Sequence, residues 1–370
     1  MTGQPTLRFN IHEVAGSVGD FGTILPIVLG VALVSDISLG TVFLFFTVWF
    51  VIAGLFYRLP VPIEPMKAVG AVVIAEGLAA PEIAASGIII GVIFLLLGVT
   101  KSMGKVQKYI PQSVIRGVQL GLALLLLKTS FGFAAGDILW AAGGIAIILL
   151  FWIGKKRLNI PDVSALVVLF IGIGAGILAY GALPPLAIPL PHLVIPAGSD
   201  FTFAAWHLVL PQIPLTLTNA ILATSLLTID LFRTEIPPDK LSTTIGIMNL
   251  ISSPLGGFPM CHGAGGMAAQ HRFGARTGGA DIIAGVILFG FALFFASPQM
   301  LTLIPIGIFG ALLIFVAIAL GEASLKTDSY LITAVTGILA ILFSMTVGFI
   351  AGLALAYIIA RFAGKNTKKE

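Results

Sequence analysis

Long apolar runs, separated by short polar or proline-containing breaks, dominate this chain of 370 residues. The runs predict about fourteen helical elements, and most are long enough to cross a hydrocarbon core of about 30 Å at a rise of about 1.5 Å per residue. Elements 3 and 10 would each cover only about 20 Å, so neither spans the core alone. The predicted elements are 15–34, 38–57, 65–79, 83–100, 111–130, 137–153, 163–183, 208–229, 241–254, 261–273, 278–297, 304–321, 329–343 and 345–362.

The two short elements both follow or contain a Pro-Met pair. Residues 61–70 read VPIEPMKAVG, and residues 256–266 read GGFPMCHGAGG. In each, an extended proline-bearing stretch leads into a helix rich in small residues, which predicts a half-helix preceded by a short strand. Broken backbone is tolerated at membrane depth only around a cavity, so a matched pair of broken helices indicates the binding site of a transporter.

Composition and charge are typical of an all-α polytopic membrane protein. Hydrophobic residues make up 58% and charged residues 10% of the chain, and the mean hydropathy is +1.09, which leaves too little polar surface for a soluble globule. The lysines and arginines behind the net charge of +4 fall at one set of span ends, Lys128 excepted, which predicts that both termini are cytoplasmic. The single cysteine, Cys261, excludes an internal disulfide and a cysteine-based metal cluster. We expect no metal, no cofactor and no nucleic-acid partner.

A connection without lysine or arginine, as expected for an external loop, divides the chain into two halves. Each half contains seven predicted elements, and an odd number per half makes the two repeats inverted relative to each other. We therefore predict a first inverted repeat at 1–183, an external loop at 184–207, a second inverted repeat at 208–362 and a cytoplasmic tail at 363–370.

Three segments carry a resemblance to a known family. Residues 16–26, 61–68 and 257–279 resemble the signatures of the molybdate transporter family within the sulfate permease (SulP) superfamily. The resemblance extends over nearly the whole transmembrane chain. It implies seven-plus-seven inverted repeats with the substrate held between two half-helix N-termini. We expect no STAS domain after the last span, which fits the molybdate branch better than typical sulfate permeases.

Candidate binding residues surround the two half-helix starts and one face of element 8. Each helix N-terminus presents unpaired N–H groups and about +0.5 of an elementary charge, so two that face one cavity attract an anion. The glycines after the second Pro-Met leave backbone donors bare, although close helix packing is an alternative role for them. The candidates are Met66, Lys67, Ala68, Gln212, Thr216, Asn219, Cys261, His262, Gly263, Ala264 and Gly265.

Some of these candidates have a second interpretation. Gln212, Thr216 and Asn219 share one helical face, which either lines the cavity or forms hydrogen bonds between helices. His262 either donates to the substrate or bonds only to backbone.

Lys67 is the residue whose position most needs an explanation. A lysine in the first turn of a helix opposes the helix dipole, and a lysine at membrane depth costs about 2.5 kcal/mol or more. Either it forms a neutral cluster with Glu64 and Asp20, or it adds its charge to the two dipoles and brings the cavity near +2, which suits a dianion. Asp20 and Glu64 are also the candidates for proton coupling, with sodium as the alternative coupling ion.

We expect a secondary active transporter, not an enzyme, that imports a tetrahedral oxyanion. Molybdate is favoured over sulfate only through the family resemblance, because both are tetrahedral dianions. A nucleobase or organic-anion permease of the same fold is the alternative, and an aromatic stacking partner near the half-helices would favour it. An open channel fits less well because the broken mid-membrane helices surround one occluded site. An intramembrane enzyme fits less well because no nucleophile or metal constellation is recognisable.

The expected setting follows from the same pattern. We expect an integral protein of the plasma membrane, surrounded by lipid, with proton symport as its energy source. Elements 1–4 and 8–11 would form a substrate-bearing core that moves in an elevator-like or rocking manner against the other elements. Scaffold surfaces often dimerise in such folds, so a homodimer is a further expectation.

Overall fold

The computed structural model describes residues 6–103, 110–158, 162–181 and 186–366. Residues 184–185 of the predicted external loop and 367–370 of the predicted tail lie outside the described residues. The helices before the loop are α1 (Ile11–Ser17), α2 (Phe21–Val34), α3 (Leu39–Tyr57), α4 (Lys67–Glu76), α5 (Ala80–Val99), α6 (Gln112–Gly136), α7 (Ile138–Leu158) and α8 (Ser164–Tyr180). The helices after it are α9 (Gly198–Phe232), α10 (Pro238–Ser252), α11 (Ala264–Phe273), α12 (Gly279–Phe294), α13 (Pro298–Thr302), α14 (Ile306–Ser324), α15 (Tyr330–Leu342) and α16 (Met345–Asn366). Two strands, β1 (Glu64–Pro65) and β2 (Met260–Cys261), precede α4 and α11.

Apolar helices make up most of the described chain. Seven helices among these residues are long and apolar enough to cross a membrane, as judged by length and composition. The sequence-based prediction of a mostly helical membrane protein is therefore confirmed. The inverted relation between two seven-element halves stays a prediction.

Helix α9 corrects one predicted boundary. The apolar pattern predicts that residues 198–207 belong to the external loop, but the helix begins at Gly198 and continues to Phe232. The backbone N–H of Ala197 donates to Asp200 Oδ2 at 2.7 Å, so an acidic side chain stabilises this helix start. The lack of lysine and arginine, which predicts an external connection, is thus compatible with a helix at 198–204.

Two π-helical segments interrupt α9, at Ala205–Val209 and Thr216–Ala223. They flank Pro211 and Pro214, which lack the N–H that a regular α-helix requires. The Thr218 hydroxyl donates to the carbonyl oxygen of Pro214 at 2.7 Å. Irregular π segments of this kind are frequent at functional sites.

The two strands pair where the broken segments meet. β1 and β2 are antiparallel, with Glu64 opposite Cys261 and Pro65 opposite Met260. The Met66 N–H extends the pairing by donating to the carbonyl oxygen of Pro259 at 3.0 Å. Because both strands are buried, these bonds satisfy backbone groups that water does not reach. The pairing holds the starts of α4 and α11 next to each other.

The helices pack in two groups. In the first group α3 packs along α12 and α5 packs along α10, with α1, α2, α4, α9 and α11 around them. In the second group α6 packs along α14 and α15, with α7 and α16 beside them. The groups meet where α2 contacts α14 and α4 contacts α6.

Candidate functional site

A cavity of about 220 Å³ lies between the two helix groups. The starts of α4 and α11, the start of α2 and the second π segment of α9 form one wall, and α6 and α14 form the other. Its lining residues are Gly22, Thr23, Glu64, Lys67, Gln119, Gln212, Leu215, Asn219, Ala220, Cys261, Gly265, Phe315, Val316, Ala319, Leu320 and Ala323. Six of the sequence-predicted residues are therefore brought together at one cavity: Glu64, Lys67, Gln212, Asn219, Cys261 and Gly265.

Helices α4 and α11 both begin without a capping side chain. Met66 caps α4 and Gly263 caps α11, and neither makes a side-chain hydrogen bond to the helix start. The first N–H groups of both helices are therefore left for other partners. These partners are protein groups that lie in the cavity wall.

Glu64 lies in the cavity lining and bonds to both a side-chain cation and a helix N–H group. Its carboxylate forms an ion pair with the ammonium of Lys67, and its Oε1 accepts the Gly266 N–H at 3.0 Å. The Glu64 side chain is 1% exposed and that of Lys67 is 23% exposed. The expected cavity charge near +2 counted Lys67 and the two helix dipoles without Glu64, whereas here the charge of Glu64 cancels that of Lys67. The neutral-cluster interpretation of Lys67 describes this arrangement.

The Gln212 side chain forms a hydrogen bond with the start of helix α4. Its Oε1 accepts the Ala68 N–H at 2.8 Å, and its Nε2 donates to Thr216 Oγ1 at 2.9 Å. Gln212 and Asn219 line the cavity, whereas Thr216 is buried outside the lining. On this face Gln212 and Asn219 line the cavity, and Gln212 makes one hydrogen bond to another helix, at the Ala68 N–H of α4.

Two glycines at the start of α11 have different surroundings. A Cβ added at Gly263 would overlap the carboxylate of Glu64, so this position requires glycine. A Cβ added at Gly265 would meet no atom within 4 Å. Gly265 is therefore not needed for close packing and leaves open space in the cavity instead.

Asp20 lies behind the cavity wall, against α11. The residue is 2% exposed, and a Cβ added at Gly266 would be 2.5 Å from its Cγ. Its Oδ2 has no hydrogen-bond partner among the described residues. An orphaned carboxylate oxygen at this depth is costly when charged.

His262 faces away from the cavity. Its Nδ1 lies 3.2 Å from the carbonyl oxygen of Pro62, its Nε2 lies 2.9 Å from Thr244 Oγ1, and Tyr57 packs edge-on against its ring. The structure thus places His262 in contact with backbone and a hydroxyl group, as in the second interpretation of this residue.

The remaining predicted residues support the wall from behind. Met66, Ala68, Gly263 and Ala264 are buried and outside the cavity lining. They contribute backbone, since Ala68 N–H is the donor that Gln212 binds.

Sequence reasoning missed the contributions of α6 and α14. Gln119 lines the cavity from α6, and Phe315 is one of five lining residues from α14. Gln119 is an amide in a predicted span, and this pattern fits interhelical hydrogen bonding as well as a cavity lining. The α14 residues are apolar, and their sequence carries no sign that they face a cavity.

Comparison with known proteins gives the same family as the sequence motifs. A family model described as "Molybdate transporter of MFS superfamily" matches residues 12–126 and 204–320. Molybdate transporter 2 of Arabidopsis thaliana is 32% identical, over 93% of this chain and 86% of that protein. Molybdate transporter 1 of the same plant is 31% identical, over 93% of this chain and 87% of that protein.

A solved structure has the same fold. The transmembrane domain of the cyanobacterium bicarbonate transporter BicA superposes with a TM-score of 0.70 at 19% identity, over 94% of this chain and 98% of that one. With the family match covering more than half of the chain, this integral membrane protein belongs to the molybdate transporter family.

Proposed function

We propose that this protein is a secondary active transporter that imports molybdate across the plasma membrane by proton symport, with both termini cytoplasmic. One observation carries the proposal: two helix starts whose own N-cap residues provide no capping side chain meet the ammonium of Lys67 at one cavity. Helix N-termini and a lysine favour a bound anion. The names of the relatives supply the choice of molybdate, since geometry does not separate it from sulfate.

In this proposal, Glu64 acts as an internal anion that the substrate replaces. Deprotonated Glu64 holds both the ammonium of Lys67 and the N–H of Gly266. Protonation weakens both interactions and frees these donors for an oxyanion. Substrate and proton then bind together, which is the requirement for symport.

The energetics require more than one proton. Moving a dianion inward against 100 mV, inside negative, costs about 4.6 kcal/mol, or twice the value for one charge. Two co-transported protons cancel this cost. Asp20, with its orphaned oxygen beside α11, is the second proposed carrier.

The proposed motion follows the two helix groups. The first group carries both half-helices, and the second supplies the opposite wall through α6 and α14. An elevator-like or rocking displacement of the first group against the second would expose the cavity to each side in turn. A homodimer formed through the second group of helices stays a prediction. Contact of the protein with membrane lipid is a second prediction.

One observation favours the alternative of a nucleobase or organic-anion permease. Phe315 is an aromatic residue of the cavity lining, to which Lys67 and Gly265 of the two half-helix starts also belong. A planar ring could stack on it, whereas a tetrahedral oxyanion gains nothing from stacking. Family membership outweighs this single contact in our proposal.

Binding and transport measurements separate these functions. Purified protein should bind molybdate and tungstate more tightly than uracil, with sulfate as the competing oxyanion. In proteoliposomes, an inward proton gradient, with the more acidic solution outside, should accelerate molybdate uptake. Binding of uracil alone would overturn the oxyanion proposal, and uptake that ignores the pH gradient would overturn proton coupling and lead to a test of sodium.

A further inference from the structure

A second cavity, of about 290 Å³, adjoins the first. Gln119 and Asn219 line both cavities, so these two side chains lie at the boundary. The second cavity is lined by Ile110, Gln112, Ile115, Arg116, Gln119, Thr218, Asn219 and Ala223. These residues come from the start of α6 and from the second π segment of α9. In the proposed topology, the start of α6 is cytoplasmic.

Arg116 supplies the charge of the second cavity. It is the one ionisable residue among the described residues that line the second cavity. In the first cavity, Glu64 already neutralises Lys67. Among the described residues no carboxylate forms a salt bridge with Arg116. The uncompensated positive charge along the two cavities is therefore that of Arg116.

Backbone and amide contacts hold the guanidinium in place. Arg116 Nε donates to the carbonyl oxygen of Lys326 at 3.0 Å, and Nη1 donates to Gln119 Oε1 at 2.9 Å. These contacts use two of the five N–H donors of an arginine. The remaining donors match the fork geometry with which arginine binds oxyanions.

Arg116 also orients a residue at the boundary. Gln119 Oε1 is engaged by the guanidinium, which leaves the amide N–H groups of Gln119 as donors between the cavities. Asn219 adds a second amide from the opposite wall, within a π segment. An oxyanion that leaves the first cavity would thus meet the amide donors of Gln119 and Asn219 first. It would meet the positive charge of Arg116 next.

We infer that Arg116 forms a second oxyanion-binding site on the cytoplasmic exit path, with Gln119 and Asn219 as the boundary between the two sites. The inference rests on the proposed function. Arg116 attracts the oxyanion once Glu64 has returned to Lys67, and so it favours release toward the cytoplasm. It also raises the apparent affinity for oxyanion that enters from the cytoplasm.

The test compares exchange from the two faces of the membrane. Radiolabelled molybdate exchange is measured in right-side-out and inside-out membrane vesicles that contain the full-length protein. R116Q should raise the KM at the cytoplasmic face about tenfold and leave the KM at the external face within about twofold. R116K keeps the charge but not the fork and should be intermediate.

Arg361 supplies the matched control, because it is exposed and lines neither cavity. R361Q should leave both KM values unchanged. Equal changes at both faces for R116Q would indicate a general structural defect and overturn the inference, as would no change at either face. Wild-type vesicles that exchange no oxyanion would instead overturn the proposed function itself, and the exit site with it.

Discussion

The Glu64 carboxylate accepts a hydrogen bond from the Gly266 N–H at 3.0 Å, so one broken segment supplies the anion for the helix start of the other. The same carboxylate neutralises Lys67. In the proposed function, a substrate oxyanion competes with this carboxylate, which is already in place. If proton symport acts through Glu64 as proposed, the wild-type affinity for molybdate should fall as the pH rises.

E64Q tests this competition directly. Glutamine resembles the protonated carboxyl group, so E64Q should lose the part of the pH dependence that comes from Glu64, at most about tenfold in affinity per pH unit for one linked proton. Uptake should also respond less to a pH gradient, with Asp20 left as the second proposed carrier. Titration calorimetry and proteoliposome uptake measure the two effects.

The control for this variant is E76Q. Glu76 lies at the opposite end of α4, is exposed and does not line the cavity. It should retain the wild-type pH profile. If E64Q also kept that profile, Glu64 would not be the coupling carboxylate.

K67M removes the cavity's cationic partner while nearly preserving side-chain volume. We expect molybdate affinity to fall about 30-fold or more, since truncating one partner of a desolvated charge pair costs about 2 kcal/mol or more. Equilibrium binding measures the loss. K128M is the control, because Lys128 is exposed on α6 and outside the cavity lining. Full affinity in K67M would remove Lys67 from the binding site.

Two alanine substitutions at the start of α11 should have opposite consequences. G265A adds a methyl group to open cavity space, so molybdate affinity should fall about tenfold while the Tm without ligand stays near that of the wild type. G263A pushes a methyl group into the Glu64 carboxylate and should destabilise the fold by about 1 to 3 kcal/mol. Thermal unfolding and binding of both variants give the comparison. A similar Tm loss in both would mean that Gly265 is also a packing residue.

N249L tests how the strand crossing is held. The Asn249 side chain accepts the Met260 N–H at 2.9 Å and donates to the Met260 carbonyl oxygen at 2.6 Å. Its amide thus satisfies both backbone groups of Met260 in β2, as a neighbouring strand would. Leucine would leave both buried backbone groups unpaired, at about 1 to 3 kcal/mol each. The Tm should fall clearly, whereas N219L, at the cavity, should mainly alter binding. An unchanged Tm in N249L would mean that water replaces the amide.

The apolar runs and the Pro-Met breaks predicted the positions of the two short helices closely. The length of an apolar run can be read directly from the sequence and compared with the thickness of the hydrocarbon core. The predicted 65–79 and 261–273 became Lys67–Glu76 and Ala264–Phe273. Side-chain direction was harder to predict. Cys261 and His262 follow each other in extended backbone, where neighbours point to opposite faces, and only Cys261 faces the cavity. Gln119 was missed because a lone amide in a span is equally suited to interhelical bonding.

Cys261 offers a test that needs no substitution, since it is the chain's single cysteine and lines the cavity. A small thiol reagent should label it slowly, because the side chain is buried, and saturating molybdate should slow the labelling further by filling the cavity. Mass spectrometry of the intact protein follows the reaction. Uracil at the same concentration serves as the control and should leave the rate unchanged. Protection by uracil but not by molybdate would indicate that the cavity binds a nucleobase, with Phe315 as its stacking partner.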